Sequence, residues 1–252
     1  MKTSSWPVIA VLVAGSPFVA FAQTEISLIA PGGIRLAVEQ LLPGFESKTG
    51  YKVKPTFGSG VGTRQQVARG EAFDVPILQS PYQEVLASGN VVAESATPLA
   101  SISMGVAVKK GAPKPDISTP EAVKRMLMAA KAVSYPNPAN TAAGLSVDET
   151  LKKLGITEQM KSKLRPAQGA AGAMKMTADG EAEIGLTFLS EMEDPGVDIV
   201  GPLPRDISTP PNLVGFISTH ARDPKAAKAL LDYLSSANAG PIYKNLRMQP
   251  GR

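Results

Sequence analysis

Residues 57–66 read FGSGVGTRQQ: three glycines, a serine, a threonine and an arginine set between an apolar run and a helical pattern. Glycines let main-chain N–H groups approach an anion closely, and the first turn of a helix leaves such groups without intrahelical acceptors. The same spelling also suits an ordinary strand-to-helix turn. On both sides of it, short apolar β-type runs alternate with helical patterns through the whole chain beyond residue 22, which predicts an α/β fold with mostly parallel strands. The expected strands are residues 26–30, 51–57, 74–78, 101–109, 132–135, 184–189, 197–200 and 213–218. They are short and mostly apolar, as strands covered on both faces are.

Between the strands, Ile34, Ala37, Val38, Leu41, Leu42 and Phe45 recur at helical spacing and give one apolar stripe on a helix ending near Gly50. Ser118-Thr119-Pro120-Glu121 opens another, either as a Ser-x-x-Glu capping box or with Thr119 as cap and Pro120 at the first helical position. Val147, Leu151 and Leu154 line a third helix closed by Gly155, and Ala227, Leu230, Leu231 and Leu234 a fourth, with Asp223 as cap. The chain has places to cross between lobes at residues 100–108 and in the proline-rich stretch 204–218. Residues 23–102 plus 214–252 are then expected to form lobe 1 and residues 103–213 lobe 2, with a cleft between them.

Residues 1–22, MKTSSWPVIAVLVAGSPFVAFA, have a lysine near the start, an apolar stretch and an Ala-Phe-Ala end, the pattern of a signal peptide cleaved between Ala22 and Gln23. The apolar part is shorter than the ~20 residues a spanning helix needs. Export to the periplasm is therefore expected. Cysteine is absent, which removes disulfides and thiolate metal sites. The net charge of +4 is spread without a basic block, so nothing points to nucleic acid.

The parts of the common enzyme sites are missing. His220 is the one histidine and reads as a solvated residue before a helix, which leaves zinc sites and Ser-His-Asp machinery without material. No Gly-Lys-Ser/Thr follows the glycines, and Thr63 stands where the last glycine of a dinucleotide fingerprint would fall. Glu181 and Glu183, and the group Glu191, Glu193 and Asp194, read as solvated loop faces. No enzymatic activity, cofactor or metal is expected.

Anion binding has better material, because three helix starts follow an apolar strand directly. In LIAPGGIR, residues 28–35, Gly32 and Gly33 expose N–H groups and Arg35 sits in the first turn. The second start holds Ser59, Gly60, Thr63 and Arg64; in the third, YPNPANTAAGLS at 135–146, Asn140 or Thr141 caps a helix whose Ala142 and Ala143 are small. Such turns gather at the carboxyl ends of strands, where α/β proteins bind ligands. An arginine in a first turn opposes the helix field by a few tenths of a kcal/mol up to ~1, a conflict that a bound anion would remove. Arg64 has the bidentate geometry for a carboxylate or phosphate.

These blocks, together with LLPGFESKTGYKVKPTFGSG, RQQVARGEAFDVPIL, AQGAAGAM and EAEIGLTFLSE, resemble the extracytoplasmic solute-binding proteins of ABC importers, and most of all their molybdate-binding branch. The resemblance spans nearly the whole chain after residue 22 and implies a type II periplasmic-binding-protein fold. It also implies two α/β lobes joined by two hinge crossovers, a monomer that closes on its solute and docks on a membrane permease. Carried over residue by residue, a serine of the branch falls on Gly33, a second survives as Ser59, and a tyrosine falls on Phe188. Backbone contacts fall near Ala142 and Ala143, and near Gly169 and Ala170. Two hydroxyl donors are thus missing, and each lost donor to a buried charge costs roughly 1–3 kcal/mol. The expected solute is a small organic carboxylate, with molybdate or tungstate as the nearest alternative. A secreted enzyme or a sensor adaptor on the same fold are the rival readings.

Overall fold

The computed structural model describes residues 25–251; the expected signal peptide and its cleavage point lie outside the described residues. Strand β1 (Glu25–Pro31) runs through a 3-10 turn (Gly32–Ile34) into α1 (Arg35–Thr49). Then follow β2 (Lys52–Gly58), α2 (Gly60–Ala68), β3 (Val75–Gln79), α3 (Gln83–Ser88), β4 (Val91–Ile102) and β5 (Met104–Lys109). The middle of the chain is α4 (Pro120–Ala129), β6 (Val133–Pro136), α5 (Ala142–Lys153), α6 (Thr157–Met160), β7 (Leu164–Ala167), α7 (Gly169–Asp179) and β8 (Ile184–Phe188). A 3-10 turn (Leu189–Glu191) leads to β9 (Val197–Pro202), β10 (Asn212–Ser218), α8 (Pro224–Leu234), α9 (Gly240–Asn245) and β11 (Met248–Pro250).

The strands form two sheets, β11-β4-β10-β3-β1-β2 and β7-β6-β8-β5-β9. The α/β two-lobe architecture is as expected, but the sheets are mixed rather than mostly parallel: four pairings are parallel and five antiparallel. The cause is the crossing between lobes. Strands β5 and β10 each enter their sheet from the other lobe without an intervening helix, and a parallel neighbour needs such a crossover element. They run against both neighbours and account for four of the five antiparallel pairings. Asn212 and Leu213, expected in lobe 2, pair with Ser101 and Ala100 in the first sheet.

Three strands escape the sequence pattern. Strands β7 (LRPA) and β11 (MQP) are short sheet edges containing proline, a residue that weakens a strand pattern and that edges tolerate readily. Most of β4 has a neighbour on one side only, since β11 covers just residues 100–102, and its first half is correspondingly polar and exposed. The helices follow their stripes: Ala37, Val38, Leu41, Leu42 and Phe45 of α1 and Ala227, Leu230, Leu231 and Leu234 of α8 are buried. Thr119 Oγ1 accepts from Ala122 N–H at 3.1 Å with Pro120 at the first position, so the threonine cap is the one used.

A buried carboxylate ties the start of the described chain to its last third. Asp74 accepts from the N–H and Oγ of Ser27 on β1 at 2.7 Å each, and from the N–H and a guanidinium nitrogen of Arg222 at 2.8 Å each. Burial pushes its pKa up, but the hydrogen bonds from Arg222 and Ser27 outweigh burial and hold it well below the ordinary 3.8. A carboxyl depressed in the folded state stabilises above its unfolded pKa and loses that contribution as pH falls below it. Asp74→Ala should therefore cost roughly 2–4 kcal/mol in urea unfolding at pH 7, because it removes the one acceptor that joins Ser27 to Arg222. The gap between variant and native protein should narrow below about pH 4. Equal stability at pH 7 would remove this network from the support of the fold.

Candidate functional site

Every strand with a parallel neighbour ends at the same cavity. It has a volume of about 220 Å³ and is lined by Gly32 and Gly33 after β1, Gly58, Ser59 and Gly60 after β2, and Gln79 at the end of β3. Thr141, Ala142 and Ala143 after β6, Gly169 and Ala170 after β7, and Phe188 and Glu191 after β8 complete it. Helices α2, α5 and α7 begin here, so their first N–H groups, which have no intrahelical acceptor, gather around one space with their positive dipole ends. Among the described residues no lysine or arginine lines it. The volume suits a small solute, below the roughly 300–1,000 Å³ of pockets for drug-sized ligands.

Each turn differs in what it leaves free. Ser59 Oγ accepts from Gly62 N–H at 2.9 Å, capping α2, and a hydroxyl engaged as acceptor still has its own proton to donate. Thr141 Oγ1 accepts from Gly144 N–H at 3.1 Å and donates to the Asn137 carbonyl at 2.7 Å, which uses both of its roles and makes it the cap of α5. The N–H groups of Ala142 and Ala143 are the donors this turn contributes. Gly169 has φ +73°, a conformation that favours glycine. A Cβ on Gly33 would lie 2.8 Å from Ile102 Cδ1, so a side chain there would need the end of Ile102 to shift, and the glycine brings no hydroxyl. Phe188, 2% exposed, presents an apolar wall. A Cβ on Gly60 would stand 3.1 Å from Ala142 Cβ, so the starts of α2 and α5 nearly touch across the cleft.

Five residues singled out in the sequence lie elsewhere. Arg35 is exposed, pairs with Glu39 at 2.8 Å and stands 6.0 Å from the centre of the Phe57 ring; its first-turn conflict is met by Glu39. It lines an outer hollow with Glu191, Glu193 and Asp194. Arg64 is buried behind Gln79, donating from Nη1 to its carbonyl at 3.1 Å with Glu84 3.6 Å from Nε, and lines a neighbouring hollow. Thr63 is fully buried and its hydroxyl has no hydrogen-bond partner among the described residues. Asn140 is exposed beside the cap. His220 is exposed, with Nε2 3.3 Å from Asn90 Oδ1.

Five lining residues were not named as site residues: Pro31, Gly58 and Pro136 lie inside the turns already quoted, and Gln79 and Glu191 were missed outright. Gln79 ends a strand whose residues are all buried, a position that strand-end placement would have flagged. Glu191, read as a solvated loop carboxylate, is the correction of consequence. One 3-10 turn beyond Phe188 carries it back to the cavity, while Glu193 stays exposed. Its Oε2 accepts from the Thr187 hydroxyl at 2.9 Å, and its Oε1 is the atom closest to a Cβ built on Gly32, at 3.6 Å. Burial pushes its pKa from 4.5 up to about 7, against the Thr187 hydrogen bond, with Glu193 adding to the rise. Among the described residues no group of three or more His, Asp or Glu side chains is placed to hold a metal ion.

A family model described as bacterial extracellular solute-binding protein matches residues 26–245. An aconitate isomerase of Pseudomonas sp. is 31% identical, with 96% of this chain and 94% of that protein covered. The molybdate-binding protein ModA of Azotobacter vinelandii is 29% identical, with 97% of each covered. Among solved structures, the periplasmic molybdate-binding protein of Azotobacter vinelandii has a TM-score of 0.72 at 19% identity, covering 88% of this chain and 98% of that one. That last likeness is one of fold.

A carboxyl whose pKa is raised by folding is neutral at no cost below its unfolded pKa and opposes folding as pH rises from there through the folded value. For Glu191 the window runs from 4.5 to about 7. Glu191→Gln should therefore stabilise the ligand-free protein by roughly 1–3 kcal/mol above pH 7 and have little effect near pH 4. Thermal unfolding at both pH values checks this, and an equal effect at the two would show that the carboxyl is not held at its raised value.

Proposed function

The chain belongs to the bacterial extracellular solute-binding proteins, and from that premise we propose that its cleft captures a small organic carboxylate and delivers it to the membrane permease of an ABC importer. The observation that carries the reading is the meeting of three helix starts and the Gly32–Gly33 turn around one cavity that no basic side chain lines. Such a site holds negative charge with uncharged donors. Ser59, Gln79 and the N–H groups of Gly60, Ala142, Ala143, Gly169 and Ala170 are the proposed contacts. Arg64 acts through Gln79, whose carbonyl it grips, and Arg35 stays at the rim.

Two features favour a carboxylate over a tetrahedral oxyanion. Gly33 and Phe188 bring no hydroxyl, and the Glu191 carboxyl faces the bound solute. Two like charges 4 Å apart repel by about 4 kcal/mol at an effective dielectric of 20, so the pair must share a proton. A carboxylic acid, or a protonated Glu191 donating to a ligand carboxylate, supplies one. The relative named aconitate isomerase extends the class to tricarboxylates such as aconitate. Because that relative bears an enzyme's name, capture and turnover are separate questions for this cleft. The same proposal takes residues 23–102 plus 214–252 and residues 103–213 as the moving lobes, with the boundary drawn back to the start of β10, and the exported protein as a periplasmic monomer.

A thermal-shift screen of residues 23–252 against molybdate, tungstate and mono-, di- and tricarboxylates, both aconitate isomers included, tests the reading. A ligand present at ~100 times its Kd adds ~2.7 kcal/mol. Carboxylates should raise the melt, and Ser59→Ala should weaken the best of them roughly tenfold or more. A shift by molybdate or tungstate alone would assign the cleft to oxyanions instead.

A further inference from the structure

We propose that Glu191 carries a proton to and from the bound solute, so that the cleft moves a carbon–carbon double bond within an unsaturated polycarboxylate; this rests on the carboxylate reading above. Glu191 is the one ionisable side chain among the described residues that line the 220 Å³ cavity. It is also held as a reacting group must be. Thr187, fully buried on β8, donates to Oε2 at 2.9 Å and holds the carboxyl, while Oε1 is turned toward Gly32, where the absence of a Cβ leaves room for a ligand atom. The charged neighbours are Glu193 and Asp194 on the same segment and Arg35 from α1, all in the outer hollow that Glu191 separates from the cavity. With its pKa at about 7, the group has both its ionised and its protonated form available at neutral pH, as a base that must later act as an acid requires.

The step balances without a co-reactant. The Glu191 carboxylate takes a proton from a methylene carbon flanked by a carboxylate and the C=C unit. The C–H electron pair becomes a new double bond to the central carbon, and the old double-bond pair takes the proton from Glu191 at the far carbon. Composition and oxidation state are unchanged. Between the two transfers the negative charge spreads over the allylic carbons onto the adjoining carboxylate oxygens, where the N–H groups at the starts of α2, α5 and α7 are aimed. Phe188 walls the cavity with carbon beside the reacting atoms.

Purified residues 23–252 are incubated separately with cis- and trans-aconitate, and interconversion is followed by proton NMR alongside the thermal shift given by each isomer. The native protein should interconvert them. E191Q, prepared identically, should keep its melt shift with both isomers and lose the rate by about 100-fold or more. E191D, which keeps a carboxyl one methylene shorter, should retain part of the rate with the same basic limb in its pH profile. Isomers that shift the melt without interconverting would overturn the proton-transfer role and leave the capture reading standing. E191Q turning over at the native rate would also overturn it. If no carboxylate shifts the melt, capture fails first and this role falls with it.

Discussion

A helix that begins at the carboxyl end of a parallel strand shows its first N–H groups to whatever lies beyond, with nothing inside the helix to accept them. In this protein α2, α5 and α7 face one cavity of about 220 Å³ in that way, joined by the Gly32–Gly33 turn. That concentration of donors, without a lysine or arginine among the described lining residues, favours negative charge in the cavity and small residues at each turn. Small side chains are needed because donors buried in the main chain act only at close approach.

Packing then decides which donors remain. A Cβ on Gly33 would meet the end of Ile102, and the end of β8 carries the buried Phe188, so neither position brings a hydroxyl to the cavity. The polar work shifts to Ser59, to Gln79 braced by Arg64, and to Glu191 braced by Thr187. A carboxyl in a site of positive dipoles is an unusual choice for an anion receptor. It is comfortable only when protonated or when exchanging a proton with its ligand.

The two sheets owe their mixed direction to the same arrangement. Parallel strands β1, β2, β3 in one sheet and β6, β7, β8 in the other bring helix starts to the cleft, while β5 and β10, the strands that link the lobes, run against them. Each lobe therefore contains a strand supplied through the crossover, and any motion of one lobe passes through residue 103 and residues 203–211. At the cavity, Gly60 and Ala142 approach so nearly that a Cβ on Gly60 would stand 3.1 Å from Ala142 Cβ.

Local rules determined much of this protein from the sequence by itself. Apolar runs, helical stripes and the caps at Thr119, Thr141 and Asp223 depend on neighbours within a few residues, and so the α/β alternation, most strands and ten of the cavity-lining residues were legible. The polar strand β4 and the edges β7 and β11 were not, because their pairing is non-local and leaves no apolar pattern. Only the tertiary structure decided where charges went. Arg64 and Glu191 stand in similar polar, loop-like spellings, yet one was drawn behind Gln79 and the other into the cleft. A side chain's electrostatic role is set by what surrounds it in three dimensions, and sequence spacing carries no record of those surroundings.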